Sequence, residues 1–132
     1  MNADIVTRPT ALTTEIPLPK AIQNFVQAIN ARDEKGFVAS FNQDPLVKDI
    51  GREIRGIAAI SEWGQHEIFA VNVSLAVRTA AERDGQTIVT VEVDGTFDRT
   101  GLPDPLVMEH CFTIVGDKIA ALTCRLASQK GS

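Results

Sequence analysis

The hydrophobic period changes once along this chain, and that change limits the folds open to it. Up to residue 68 the apolar side chains recur at helical spacing, and from Val71 onward they alternate. Ile22, Phe25, Val26 and Ile29 stand at i, i+3, i+4 and i+7 behind Pro19, a residue suited to a helix start, so a helix buried on one face is expected. Asp33 is a natural N-cap for a second, shorter helix carrying Phe37, Val38 and Phe41. Gln43-Asp44-Pro45 is expected to turn, Leu46 to Ile50 to form a short strand, and Gly51 to Arg55 to return after a bend. Gly56 then opens a third helix whose inner face holds Ile57, Ile60, Gly64 and Ile68, with Trp63 at the margin. His66 falls on its solvated side.

In the second half Val71, Val73, Leu75 and Val77 alternate with polar or small residues, and so do Val89, Val91, Val93 and Phe97. Asp84-Gly85 between these runs is a hairpin signal, and Gly95 marks a bulge or sharp bend. Residues 100–105 read as a loop, and Leu106 to Val115 and Lys118 to Leu126 as a last hairpin turned at Gly116-Asp117. Three helices followed by a meander of long strands predict an α+β fold, with helices packed on one face of a curved antiparallel sheet. In an unbroken register from that last turn, Glu109 faces Cys124 and Cys111 faces Leu122. One face then carries Val107, Glu109, Cys111, Thr113, Leu122 and Cys124, and the other Met108, His110, Phe112, Ile114, Ile119 and Ala121. Both are apolar. The helices can cover one, and a homodimer packed sheet against sheet is the expected cover for the other. The two cysteines are diagonal in this register, which predicts free buried thiols.

Composition removes several function classes. The chain of 132 residues is one domain's worth, and its formal charge of −4 without a dense basic cluster makes it a poor nucleic-acid binder. No apolar run is long enough for a membrane span. The opening MNADIVTRPT lacks a basic segment followed by an apolar one, so no signal peptide and a cytoplasmic location are expected. Two cysteines without paired Cys/His spacing suggest neither a disulfide framework nor a zinc site, and neither metal nor organic cofactor is expected. There is no nucleophile elbow and no glycine-rich phosphate loop. Residues 1–18 read as a flexible or draped arm, 19–127 as a single domain, and 128–132 as a polar tail.

The runs Ile22 to Asp33, Phe37 to Phe41, Val47 to Gly51 and Arg55 to Ile60 resemble, in order, the nuclear transport factor 2-like superfamily. Within it the chain is most similar to SnoaL-like polyketide cyclases and ketosteroid isomerase. The resemblance spans about Pro19 to Leu126 and implies a cone, in which a curved sheet and a long helix enclose one apolar pocket. By resemblance to ketosteroid isomerase, Asp49 takes the position of the catalytic base. Glu109, just before His110, takes that of a second acid held protonated, and Phe25 that of a tyrosine in the oxyanion hole. The chain has no tyrosine at all, so that donor is lost. Phe25, Trp63, Cys111, Leu122 and Cys124 are then expected to line the pocket, around an acid whose neighbours would keep it neutral. Such a pair suits proton transfer next to a carbonyl group. The expected ligand is a small apolar molecule. The expected function is either acid–base chemistry of the isomerase or cyclase type on a carbonyl compound, or, alternatively, ligand binding or dimerisation without catalysis.

Overall fold

A computed structural model of the chain describes residues 14–127. The three helices are Lys20–Asn30, Glu34–Ala39 and Ile57–Gly64; all precede the meander that begins at Ser74, although the nine-residue strand Phe41–Asp49 comes before the third. The first buries Ala21, Ile22, Phe25, Ala28 and Ile29, a single stripe at the spacing the sequence shows. Asp33 caps the second, its Oδ1 accepting from the Gly36 amide at 3.0 Å. The third runs into a wider π turn, Gln65–Phe69, and keeps Ile60, Gly64 and Ile68 on its buried side. Gly64 is required there by space: a Cβ on it would lie 2.7 Å from Cε2 of Phe37.

Seven strands form one sheet in the order β1-β4-β5-β6-β7-β2-β3, where β1 is Thr14–Glu15, β2 Phe41–Asp49, β3 Arg52–Arg55, β4 Ser74–Arg83, β5 Gln86–Asp94, β6 Leu106–Val115 and β7 Lys118–Leu126. All neighbours are antiparallel except β2 and β7, which run parallel. The Asp84-Gly85 and Gly116-Asp117 hairpins stand where the sequence puts them, joining Arg83 to Gln86 and Val115 to Lys118. Asp84 (φ 55°) and Gly85 (φ 81°) both take the left-handed conformation that a tight hairpin turn needs. Of the arm, Thr14–Glu15 lies along β4, opposite Glu82 and Ala81, and residues 1–13 are outside the described residues, as is the tail from 128.

Several local expectations are corrected. Phe41 belongs to β2, not to the second helix, which ends at Ala39. The expected turn at Gln43-Asp44-Pro45 is an irregularity within that strand: the Asp44 amide donates to Asn42 Oδ1 at 3.1 Å, and the pairing with β7 shifts between Phe41 and Leu46. Val71 is still in the turn before β4, and Gly95 lies just past the end of β5. There it passes so close to the other segment that a Cβ on it would stand 2.8 Å from the Val71 carbonyl oxygen.

The correction with most consequence is in the last hairpin. Its register shifts between Thr113 and Ile114, because Ile114 pairs with Ile119 while Thr113 pairs with Ala121, leaving Ala120 as an extra residue. Beyond that bulge every pair moves by one: Phe112 faces Leu122, Cys111 faces Thr123, His110 faces Cys124 and Glu109 faces Arg125. A one-residue slip turns each side chain to the other face. Met108, His110 and Phe112 therefore point inward with Leu122 and Cys124, and Glu109, Cys111 and Thr113 point outward. Phe112, expected to be covered by a second copy, is 1% exposed within the single chain. Its ring meets Phe25 edge-on at 5.3 Å, in an aromatic cluster that also holds Phe37 and Phe41.

Candidate functional site

The inner face of the sheet, the first helix and the third helix with its π turn enclose a cavity of about 260 Å³. It opens at the end of the sheet where β2 turns into β3, β7 ends and β6 begins. The closed end is the aromatic cluster around Phe25. The walls are apolar, with Ile29, Val73, Leu75, Val93, Leu106 and Met108 prominent. Of the expected lining residues, Phe25, Trp63, Leu122 and Cys124 are in place, and so is Asp49. Glu109 and Cys111 are not. They lie on the outer face, where Glu109 Oε1 accepts from Arg125 Nε at 2.9 Å. The resemblance gave Glu109 the position of a second acid, and an unbroken strand pairing gave it Leu122 and Cys124 as same-face neighbours; the bulge at Ala120 removes that pairing.

Asp49 ends β2, with its side chain 20% exposed. Its Oδ2 accepts from Trp63 Nε1 at 3.2 Å and from Arg52 Nη2 at 3.1 Å. The β2–β3 hairpin places Arg52 directly across from Asp49, and the same guanidinium also bonds Glu67 from the π turn. These two carboxylates raise the Arg52 pKa, first through the Glu67 bond and then through the Asp49 bond. One cation therefore bridges two acids at the cavity edge, leaving the group a formal negative charge. Among the described residues, Asp49 Oδ1 accepts no hydrogen bond. Half of this carboxylate is anchored and half is available to a ligand.

The residue that takes the place intended for Glu109 is its neighbour, His110. It is 7% exposed, lines the cavity, and stands edge-on to Phe25 at 6.4 Å and to Phe112 at 6.2 Å. Burial pushes its imidazole down to about 4, against a smaller upward pull from the Asp49 charge. At neutral pH it is uncharged, with one N–H to donate and one lone pair to accept. Neither ring nitrogen has a hydrogen-bond partner among the described residues. An unpaired polar group is costly in such surroundings. Cys124, which faces His110 across the strands, is a buried thiol whose pKa is raised mainly by desolvation, so it stays protonated. Among the described residues no cluster of three or more His, Cys, Asp or Glu side chains is placed to hold a metal ion.

A signal for His110 was present in the sequence. Ile119 and Leu122 are three apart, so a regular strand cannot turn both of these large apolar side chains inward, and a bulge between them does. The π turn brings Glu67 to the cavity edge beside Ile68.

No protein-family model matches the sequence, and no curated protein sequence matches it. Solved structures do match its shape. A candidate polyketide cyclase of Sinorhizobium meliloti superposes with a TM-score of 0.73 at 23% identity, over 82% of this chain and 95% of that one. The fold is nuclear transport factor 2-like. TerC, co-crystallised with polyporic acid, superposes at 0.68 with 20% identity, covering 82% of this chain and 89% of its own. A Mycobacterium tuberculosis protein in complex with estradiol-17beta-hemisuccinate gives 0.65 at 15% identity, over 81% and 91%. At these identities the likeness is one of fold, and it agrees with the α+β cone that the sequence led one to expect.

Proposed function

We propose that this nuclear transport factor 2-like chain binds a small, largely apolar, uncharged carbonyl compound and moves a proton on it. The observation that carries this is the neutral His110 ring, buried in the cavity wall with unpaired nitrogens, in a cavity that also holds a half-free Asp49 carboxylate. Polyporic acid and estradiol-17beta-hemisuccinate, the ligands named for two of the similar structures, support a largely apolar carbonyl compound as the class. Both are acids, and the uncharged reading rests instead on the charges at this cavity's edge. In the proposed step Asp49 Oδ1 takes a proton from the carbon next to the carbonyl. The bonding pair moves onto the carbonyl oxygen, and the His110 N–H donates to that enolate oxygen. Asp49, now protonated, returns the proton to carbon. Trp63 and Arg52 hold Oδ2 so that Oδ1 stays aimed at the ligand. A net negative edge at Asp49, Arg52 and Glu67 disfavours anionic ligands.

The test is exchange of α-protons of 2-tetralone into deuterated water, followed by NMR, with binding read from the fluorescence of Trp63, the chain's single tryptophan. Asp49→Asn is expected to slow exchange by at least about 100-fold while leaving affinity within about threefold. Exchange undiminished in Asp49→Asn would remove Asp49 as the base. Binding without exchange in the native protein would favour the non-catalytic alternative, which the absence of tyrosine, with Phe25 in its place, also favours.

The protein is further proposed to act as a cytoplasmic homodimer. Free thiols at Cys111 and Cys124 suit a reducing compartment. The pairing surface would be the outer sheet face carrying Glu109, Cys111, Thr113, Ala121 and Thr123. A Glu109–Arg125 pair on that face is self-complementary about a twofold axis, since each acid can meet the other copy's arginine.

A further inference from the structure

Large apolar side chains exposed on a surface are ordinary one at a time. Among the described residues Ile50, Val77, Val115 and Leu126 are exposed, and two of the four stand at one place. Ile50, at the β2–β3 turn, is 62% exposed, and Leu126, at the end of β7, is 42% exposed. Both also line the cavity, where they are joined by half-buried Phe97 and Leu102 from the segment between β5 and β6. The apolar wall of the cavity thus continues outward through its mouth onto the surface. Asp49, Arg52 and Glu67 are the polar groups on the β2–β3 side of this edge, and Arg99 lies over the Phe97 ring, 4.8 Å from its centroid.

The size of the cavity gives this continuity a meaning. A void of about 150 Å³ accommodates one benzene molecule. On that scale about 260 Å³ takes a headgroup of roughly ten carbon atoms and no more. A ligand contained entirely inside would leave Ile50 and Leu126 facing water. A ligand with an apolar tail would cover them on its way out.

We infer that the ligand is a carbonyl compound bearing an alkyl tail longer than the cavity, with its polar head at Asp49 and His110 and its tail leaving between Ile50 and Leu126. This rests on the carbonyl-ligand class proposed above and extends it to the part of the ligand outside the cavity. Full burial of one methylene tightens binding about fourfold, and a tail lying on a half-open apolar rim gains about half of that effect in free energy, or about twofold per methylene.

The experiment uses a series of methyl ketones, hexan-2-one, decan-2-one and tridecan-2-one, with dissociation constants read from Trp63 fluorescence and checked by calorimetry. Tridecan-2-one is expected to bind about eightfold more tightly than decan-2-one. Ile50→Glu and Leu126→Gln, each at an exposed position, should abolish that gain and leave hexan-2-one within about twofold. Val115→Glu, at the far hairpin, should change neither. A native series that levels off at decan-2-one overturns the tail exit. Equal losses for short and long ketones in the rim variants overturn it, as does an equal loss in Val115→Glu, which would mark unspecific adsorption. If Ile50→Glu instead separates two copies in sedimentation and leaves the ketone series unchanged, the rim is a contact between copies and the inference falls. Failure of every ketone to bind, hexan-2-one included, refutes the carbonyl class itself and the tail with it, and is distinct from levelling off.

Discussion

His110 and Glu109 are adjacent in sequence and opposite in environment. Glu109 sits at the surface against Arg125, and His110 is enclosed by Phe25, Phe112 and the cavity wall. The cost of charging His110 in that enclosure sets a pH dependence whose sign can be worked out. Its folded pKa, about 4, lies below the ordinary 6.5. As pH falls below about 6.5 the unfolded chain takes up a proton at this histidine that the folded chain refuses until about pH 4. Stability is therefore full above pH 6.5 and is lost downward through that window, by about 3 kcal/mol from this group. Urea unfolding at pH 7, 5 and 4 should show the loss. His110→Gln should remove most of it relative to the native protein, and an unchanged slope in that variant would mean the histidine is not shielded.

At the scale of elements, the site depends on how the third helix and its π turn seat against the second helix. Phe37 is the contact: its ring lies against Gly64, 5.6 Å from Phe69 and 6.2 Å from Trp63. Gly64→Ala would put a methyl group 2.7 Å from that ring, and neither side has room to yield, since Phe37 is fully buried. A loss of about 1–3 kcal/mol is expected by thermal or urea unfolding. The same displacement would carry Trp63 away from Asp49, so binding read at Trp63 should weaken with it. A neutral result would show that the helices slide freely at this point. Farther along, Asn30 joins the end of the first helix to the start of β4, donating to the Leu75 carbonyl at 3.0 Å and accepting from its amide at 2.8 Å. This reciprocal pair fixes where the sheet begins to wrap the helix and hence where Val73 and Leu75 enter the cavity wall.

For the whole molecule, the two faces of the sheet separate folding from association. Phe112, on the inner face, is part of the core, so Phe112→Arg would bury an unpaired charge and should yield unfolded or aggregated protein whatever the native oligomeric state. Thr123→Lys, on the outer face, should leave thermal unfolding of the dilute protein nearly unchanged and convert the proposed dimer to monomer in sedimentation at micromolar concentration. A native protein that is monomeric there overturns the dimer. In the folded protein both thiols should resist a thiol reagent, and both should react once it is unfolded, because Cys111 and Cys124 are free and buried.

The sequence alone determined the layout. The change of period at about residue 70, the Asp33 cap and the Asp84-Gly85 and Gly116-Asp117 turns are local signals, and each holds because the interactions that cause it lie within a few residues. Asp49, Trp63, Phe25, Leu122 and Cys124 line the cavity as the resemblance implied, although the local strand pattern by itself had set Leu122 and Cys124 on one face with Glu109 and Cys111. The choice between Glu109 and His110 was not local. It turned on one extra residue, Ala120, in the neighbouring strand, which is accommodated because Ile119, Leu122 and Cys124 can then all be buried together. That gain is shared among strands and helices far apart in sequence, so only the assembled sheet decides which of two adjacent side chains faces the cavity.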